Sequence, residues 1–335
     1  MFGILRFFLA SLVVISHTGI NLQGVNPGVV AVVIFYILAG LVVSSLFSKV
    51  FISKKPLYLK FYYERILRIF PQYIFIISLT LLFIGVTNYG SPQFHIIPLI
   101  NNMFIVPLNY YMFIDNSILQ EPKWWLIPPA WSLGTELQAY LILPFVIYFK
   151  PVKILAAIIS LCVFYVASLG FIHSDYFGYR LLPGVLFIFI LGTSIYKNNS
   201  EYCKPDLFDK YFPVVVYIMM VLLLIGLGLQ SKLLQPYVRE TIFGIIIGIP
   251  IVTYLVKSTI KVPMNHYLGD LSYGLFLSHF LAIWIIDYYF LIDKTTDLYF
   301  YIFILFTISL SISTFGIFIV EKNIKSYRFN LSNTN

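Results

Sequence analysis

The strongest constraint on this chain is the recurrence of apolar runs about as long as a bilayer is thick. A helix rises about 1.5 Å per residue, so about 20 apolar residues cross the roughly 30 Å hydrocarbon layer. Runs of that kind lie near residues 3 to 19, 28 to 48, 69 to 87, 131 to 149, 152 to 172, 180 to 196, 212 to 229, 237 to 256, 270 to 289 and 298 to 320. Backbone groups in lipid must bond internally, which leaves the helix as the simplest form for such runs. The expected fold is an all-α polytopic membrane protein of about ten transmembrane helices. Composition agrees: 60% of residues are apolar and only 11% charged, against about a quarter charged in soluble domains. We read residues 1 to 335 as a single transmembrane domain with no soluble accessory domain. The first run reads as a retained signal anchor, because His17, Thr18 and Gly19 follow it in place of a small-x-small cleavage site.

Basic residues set the orientation. With a cytoplasmic N-terminus, 17 of the 22 Lys and Arg residues fall inside, leaving Lys123, Arg180, Lys232, Arg239 and Lys294 outside. Both termini are therefore expected in the cytoplasm, and the net charge of +8 follows from topology without a nucleic-acid partner. Two cysteines, Cys162 and Cys203, suggest neither a disulfide framework nor a metal site. The longest connection, 88 to 130, faces outward. Its PQFHIIPLINNMFIVPLNYY stretch is apolar but broken by Pro92, Pro98 and Pro107, so it is expected at the outer interface or dipping into a cavity.

Against this apolar background, four polar clusters stand out. Arg6 and His17 are 11 residues apart, about 20° past three helical turns and roughly 16 Å along the axis. Both leave the helix on nearly one face, at opposite depths. Arg6 as a snorkelling anchor with a structurally bonded His17 is one reading; a functional stripe facing the bundle interior is the other. FYYERILRIFP carries Arg65 and Arg68 three residues apart, before the third apolar run. They suit phosphate binding and equally suit orientation and anionic lipid contact on an inner loop. In AWSLGTELQAYLILP, Ser132, Glu136 and Tyr140 are spaced four apart and share a helix face; Trp131 suits the interface. In YLGDLSYGLFLSHF, Ser272 and His279 lie seven apart, with His279 near mid-membrane. Two histidines and a glutamate inside one bundle point to chemistry. His95, His173 and His266 fall in expected connections, and no metal-binding, nucleophile-elbow, phosphate-loop or dinucleotide motif is present.

Taken in order, these patches resemble the acyltransferase-3 family of integral membrane acyltransferases. The resemblance rests on Arg6 with ten residues before His17, FYILAGL at 35 to 41, ERILRIFP at 64 to 71, WSLGTELQAYLILP at 131 to 144 and SYGLFLSH at 272 to 279. Ala39 stands where the family often has Ser, and VEKNIKS at 320 to 326 lacks the proline often found after its Glu-Lys pair. The family implies transfer of an acyl group, commonly acetyl, from cytoplasmic acetyl-CoA to a hydroxyl of a surface polysaccharide or lipid-linked sugar at the outer face of a bacterial plasma membrane. It implies no metal.

On that reading His17 is the acyl-transfer group, as general base or as acyl-accepting nucleophile. Arg6, Arg65 and Arg68 bind the acyl-CoA donor. Glu136 orients or charge-balances His17, His279 supports it or the acceptor, and Ser132, Tyr140 and Trp131 contact acceptor hydroxyls or line the site. The rival reading is a transporter or flippase for a polar lipid or anion, with the same charges lining a path. Partners beyond donor, acceptor and membrane lipids, and the oligomeric state, are not legible.

Overall fold

The computed structural model describes residues 1–50, 58–196, 206–230, 233, 235–290, 292, 297–322 and 324. Of the basic residues used for orientation, Lys54, Lys55, Lys197, Lys204, Lys232, Lys294, Lys325 and Arg328 lie outside these. Eleven α-helices are described: α1 Phe2–Ser16, α2 Pro27–Val50, α3 Tyr58–Thr87, α4 Ile96–Phe104, α5 Trp131–Tyr148, α6 Lys150–Ser168, α7 Leu182–Ile195, α8 Leu207–Leu229, α9 Val238–Lys257, α10 Asn265–Tyr289 and α11 Leu298–Gly316. Nine helical segments among the described residues are long and apolar enough to cross a membrane, and α1 is a shorter apolar helix. The chain is an all-α polytopic membrane protein. Its described sheet is one two-residue antiparallel hairpin, β1 Leu119–Gln120 and β2 Lys123–Trp124.

The polypeptide divides into two compact units. One comprises Met1, Asn21–Tyr62 and Thr135–Lys261; the other Phe2–Ile20, Tyr63–Gly134 and Val262–Asn335. In the first unit α7 is buried along almost its whole length and packs on α2, α6 and α8. A Cβ on Gly40 would strike the Phe189 carbonyl, and one on Gly192 the Ile37 carbonyl. The glycine of FYILAGL is thus a crossing point where two backbones touch, and its neighbour Tyr36 stacks on Phe189 at 4.7 Å.

In the second unit α10 is the buried centre, flanked by α1 and α11. Gly3 sits where α1 meets the start of α10: its N–H donates to Asn265 Oδ1 at 2.8 Å, and a Cβ there would collide with the Asn265 carbonyl. This crossing sets the register between the helices that carry His17 and His279.

Two expectations are corrected. The FYYERILR stretch is part of α3, which starts at Tyr58, and not a loop before it. Its charges depress the local hydropathy, yet no helix breaker precedes Pro71, and the arginines find carboxylates that let the helix continue below its apolar part. His266 lies in the first turn of α10 rather than in a connection. The 88 to 130 segment matches its reading as a broken structure: α4, a 3₁₀ turn over Val106–Tyr110, the hairpin, and a second 3₁₀ turn over Pro128–Ala130 lead into α5.

Candidate functional site

An α-helix ends with four carbonyls that have lost their intrahelical partners, and this requirement places His17. The helix α1 stops at Ser16, and Gly19, at φ +92°, lets the chain turn away. The His17 N–H bonds back to the Val14 carbonyl at 3.2 Å and the Thr18 N–H to that of Ile15 at 3.0 Å. The carbonyl of Val13 is left to side chains: Ser16 Oγ donates to it at 2.7 Å and His17 Nδ1 lies 2.8 Å from it. A carbonyl oxygen only accepts. The bonded Nδ1 therefore carries a proton. The imidazole is exposed. At about 1.5 Å per residue, a 15-residue helix covers only about 22 Å, less than the hydrocarbon thickness. His17 thus stands just beyond the end of a short apolar helix.

The second histidine packs against the first. The His279 ring centre is 5.0 Å from that of His17, tilted 40°. The side chain of His279 is fully buried, and neither of its ring nitrogens has a hydrogen-bond partner of good geometry among the described residues. A buried polar group left in that state costs about 1–3 kcal/mol. Phe280 meets His17 edge to face at 4.9 Å, and Trp124 of the hairpin meets Phe280 at 5.5 Å. Sequence reasoning named the histidines but not these two aromatics; only the hairpin brings Trp124 beside α10.

The arginines have different surroundings. Arg6 lies on α1, eleven residues before His17, partly buried. Arg65 is buried, and its Nε donates to Glu64 Oε2 at 2.6 Å. Arg68 Nη1 bonds Glu321 Oε1 at 3.0 Å and Asp270 Oδ1 at 3.4 Å, with its guanidinium 5.7 Å from the Tyr273 ring centre. One cation thus meets two carboxylates, both largely buried. The sequence pattern does not single out Asp270 or Glu321, although Asp270 stands two residues before Ser272 in YLGDLSYGLFLSHF and Glu321 is the acid of VEKNIKS.

Of the α5 residues, Ser132 Oγ donates to the Pro129 carbonyl at 3.0 Å within its own turn. Trp131 begins the helix and is partly buried. Glu136 and Tyr140 belong to the other unit, and the Tyr140 hydroxyl donates to the Glu136 carboxylate, the i, i+4 pairing their spacing predicts. In the same unit Thr135 Oγ1 donates to the Arg180 carbonyl at 2.8 Å. Arg180 pairs with Asp175 at 2.5 Å and lies over the rings of Tyr179 and Tyr237 at 5.3 and 5.4 Å. In the sequence Arg180 stands out only as an outer basic residue. Among the described residues no group of three His, Cys, Asp or Glu side chains is placed to hold a metal ion.

A family of proteins described as "Acyltransferase domain" matches residues 2–320. The chain belongs to the acyltransferase-3 family. A protein of Aquifex aeolicus (strain VF5), carrying the name "Uncharacterized protein", is 38% identical over 225 residues, covering 66% of this chain and 100% of that protein. No solved structure matches. Membership in the acyltransferase-3 family makes the chain an acyltransferase, and an acyl donor and a hydroxyl-bearing acceptor follow from that chemistry.

Proposed function

We propose that this acyltransferase moves an acetyl group from cytoplasmic acetyl-CoA to a hydroxyl of a surface polysaccharide or lipid-linked sugar, in the plasma membrane of a bacterium. The observation that carries the reading is the exposed His17 imidazole with Nδ1 bonded to the Val13 carbonyl at 2.8 Å. A sugar hydroxyl is a poor nucleophile until a base takes its proton, and an imidazole lone pair suits that task near neutral pH. In the proposed reaction Nε2 takes the hydroxyl proton as the oxygen attacks the thioester carbonyl. The C–S bond breaks, and the proton passes from the imidazolium to the departing CoA thiolate.

The Val13 carbonyl, 2.8 Å from Nδ1, is proposed to orient the ring from within its own helix end. The proposed part of Glu136 is accordingly charge balance during transfer, with its bond to Tyr140 holding the carboxylate in place. His279 is proposed as a positioning residue for His17, and Ser132 and Trp131 as residues shaping the acceptor end. Arg6, Arg65 and Arg68 are proposed at the donor end. For Arg68 this requires the CoA phosphates to compete with Glu321 and Asp270 for one guanidinium.

The test is His17→Ala. The variant should insert at the wild-type level and leave acceptor glycans without acyl groups; normal acylation by it would refute the assignment. Rapid-quench mass spectrometry of the wild type with acetyl-CoA alone separates direct transfer from an acetyl-imidazole on the same nitrogen.

A further inference from the structure

The 88 to 130 segment builds a second feature, wholly within its own unit. A cleft of about 610 Å³ is lined by Gln93, His95, Asp115, Ser117 and Gln120 together with Ile96 and Ile97. Its polar wall offers amide, imidazole, carboxylate and hydroxyl groups, which donate to and accept from sugar hydroxyls. The wall is fixed by backbone bonds: Gln93 N–H to the Ile118 carbonyl at 2.8 Å, Gln120 N–H to that of Gly90 at 2.8 Å, and Ile118 N–H to that of Trp124 at 2.9 Å. Ser117 N–H donates to Asp115 Oδ1 at 3.1 Å.

Its apolar edge continues along α4. Ile96, Ile97, Ile100, Met103 and Phe104 are all exposed, one helix face at i, i+1, i+4, i+7 and i+8. The opposite face holds a buried asparagine. Asn102 Nδ2 donates to the Pro98 and Asn116 carbonyls at 2.8 and 2.9 Å, its Oδ1 accepts from Leu126 N–H at 2.8 Å, and its carbonyl accepts from the Tyr73 hydroxyl at 2.6 Å. A helix tied down by its polar face with its apolar face outward belongs at a lipid interface. The hairpin carrying Gln120 also carries Trp124, whose ring reaches Phe280 and so the wall of the His17 site.

We propose that this cleft is the acceptor site and that its ligand is a lipid-linked glycan, with the sugar against Gln93, Asp115, Ser117 and Gln120 and the lipid along the exposed face of α4. This rests on the acyltransferase reading and adds to it the place where the acceptor binds, the choice of its lipid-linked form and the residues that select it. Neither half of the feature suits a free, water-soluble sugar, which would have no use for the isoleucine edge, or a plain membrane lipid, which would have none for the amide and hydroxyl wall.

The test measures binding, separately from transfer. The lipid-linked oligosaccharide fraction of the host membranes, and the same fraction with its sugar freed by mild acid, are offered to the purified protein in nanodiscs. Retained sugar is then quantified by mass spectrometry. Wild type should retain at least five-fold more sugar from the intact fraction than from the freed one. Gln93→Ala/Gln120→Ala should cut that retention at least five-fold, and Ile97→Asp should abolish the preference for the intact fraction. Both changes are at accessible positions, and an unchanged melting temperature shows that the fold is kept. Equal retention of the two fractions, retention of neither, or unaltered retention by the glutamine variant overturns the proposal. Retention of the lipid-linked glycan without any acyl transfer leaves the cleft standing and sinks the proposed reaction instead.

Discussion

At the scale of single residues, the physics turns on groups that gain or lose their partners. Arg68 is bracketed by Asp270 and Glu321, so Arg68→Ala strands two largely buried carboxylates, and breaking a buried pair from one side costs about 3–5 kcal/mol. Loss of activity in that variant alone would say nothing about CoA. A clean experiment compares Arg68→Ala with Arg68→Ala/Glu321→Gln. The second should recover much of the melting temperature, and if Arg68 also holds the donor, affinity for acetyl-CoA should stay at least ten-fold weaker in the recovered protein. Wild-type affinity there would assign Arg68 to architecture. His279 calls for a different substitution. His279→Phe keeps a ring against His17 and removes two buried ring nitrogens; we expect kcat to fall at least ten-fold with the donor KM unchanged. Unaltered kcat would make the contact one of packing only. The histidines were legible because ionisable groups in apolar runs are costly. Asp270 and Glu321 obey the same rule, but their meaning lies in a pairing with Arg68 across 202 and 253 residues, which no local pattern carries.

Elements show which parts of the motifs serve packing and which serve chemistry. The start of α1 is held at Gly3 against Asn265, so this glycine should govern the site from a distance of 14 residues. Gly3→Val forces a branched side chain into backbone, an overpacking error of about 1–3 kcal/mol or more. The expected result is reduced transfer with every polar residue intact, checked by activity per folded molecule and, in a separate protein carrying His17→Cys and His279→Cys, by loss of the crosslink between the two positions when Gly3→Val is added. The hairpin permits a prediction with a definite sign. Lys123 beside Asp115, with Ser117, holds that carboxyl down at about 2, against about 3.9 unperturbed. Because the folded value is the lower one, the pairing contributes stability at pH above the unperturbed value and loses it as pH falls toward 2. Retention of glycan by the wild type should thus be flat from about pH 4 upward. In Lys123→Ala it should decline as pH drops through the ordinary carboxylate range; a flat profile would remove Asp115 from the sugar wall. Helix count and most spans were readable from apolar length. The extension of α3 to Tyr58 was hidden because hydropathy registers charge and cannot register a carboxylate waiting on another helix.

For the whole molecule, the proposed reaction requires a cytoplasmic thioester to meet an outer hydroxyl, and α1 bears on it directly. At about 22 Å by the helical rise it is shorter than the hydrocarbon layer, so if its start sits at the cytoplasmic surface, as the proposed orientation requires, the imidazole at its end would lie inside the membrane. On the proposed orientation, with both termini in the cytoplasm, Arg6 would mark the donor side and His17 the depth to which the acetyl group must travel. In the proposed reaction the thioester end of CoA would enter the membrane while its charged nucleotide stayed in water, so binding the donor would not carry phosphates across lipid. That arrangement predicts strict sidedness. In sealed vesicles of known orientation, labelled acetyl-CoA supplied on the cytoplasmic face should label acceptor glycan on the opposite face, and the same compound supplied outside should label none. Labelling from either face would mean that the donor reaches His17 by the acceptor's route, and the assignment of Arg6 and Arg65 to a cytoplasmic donor entrance would fall with it.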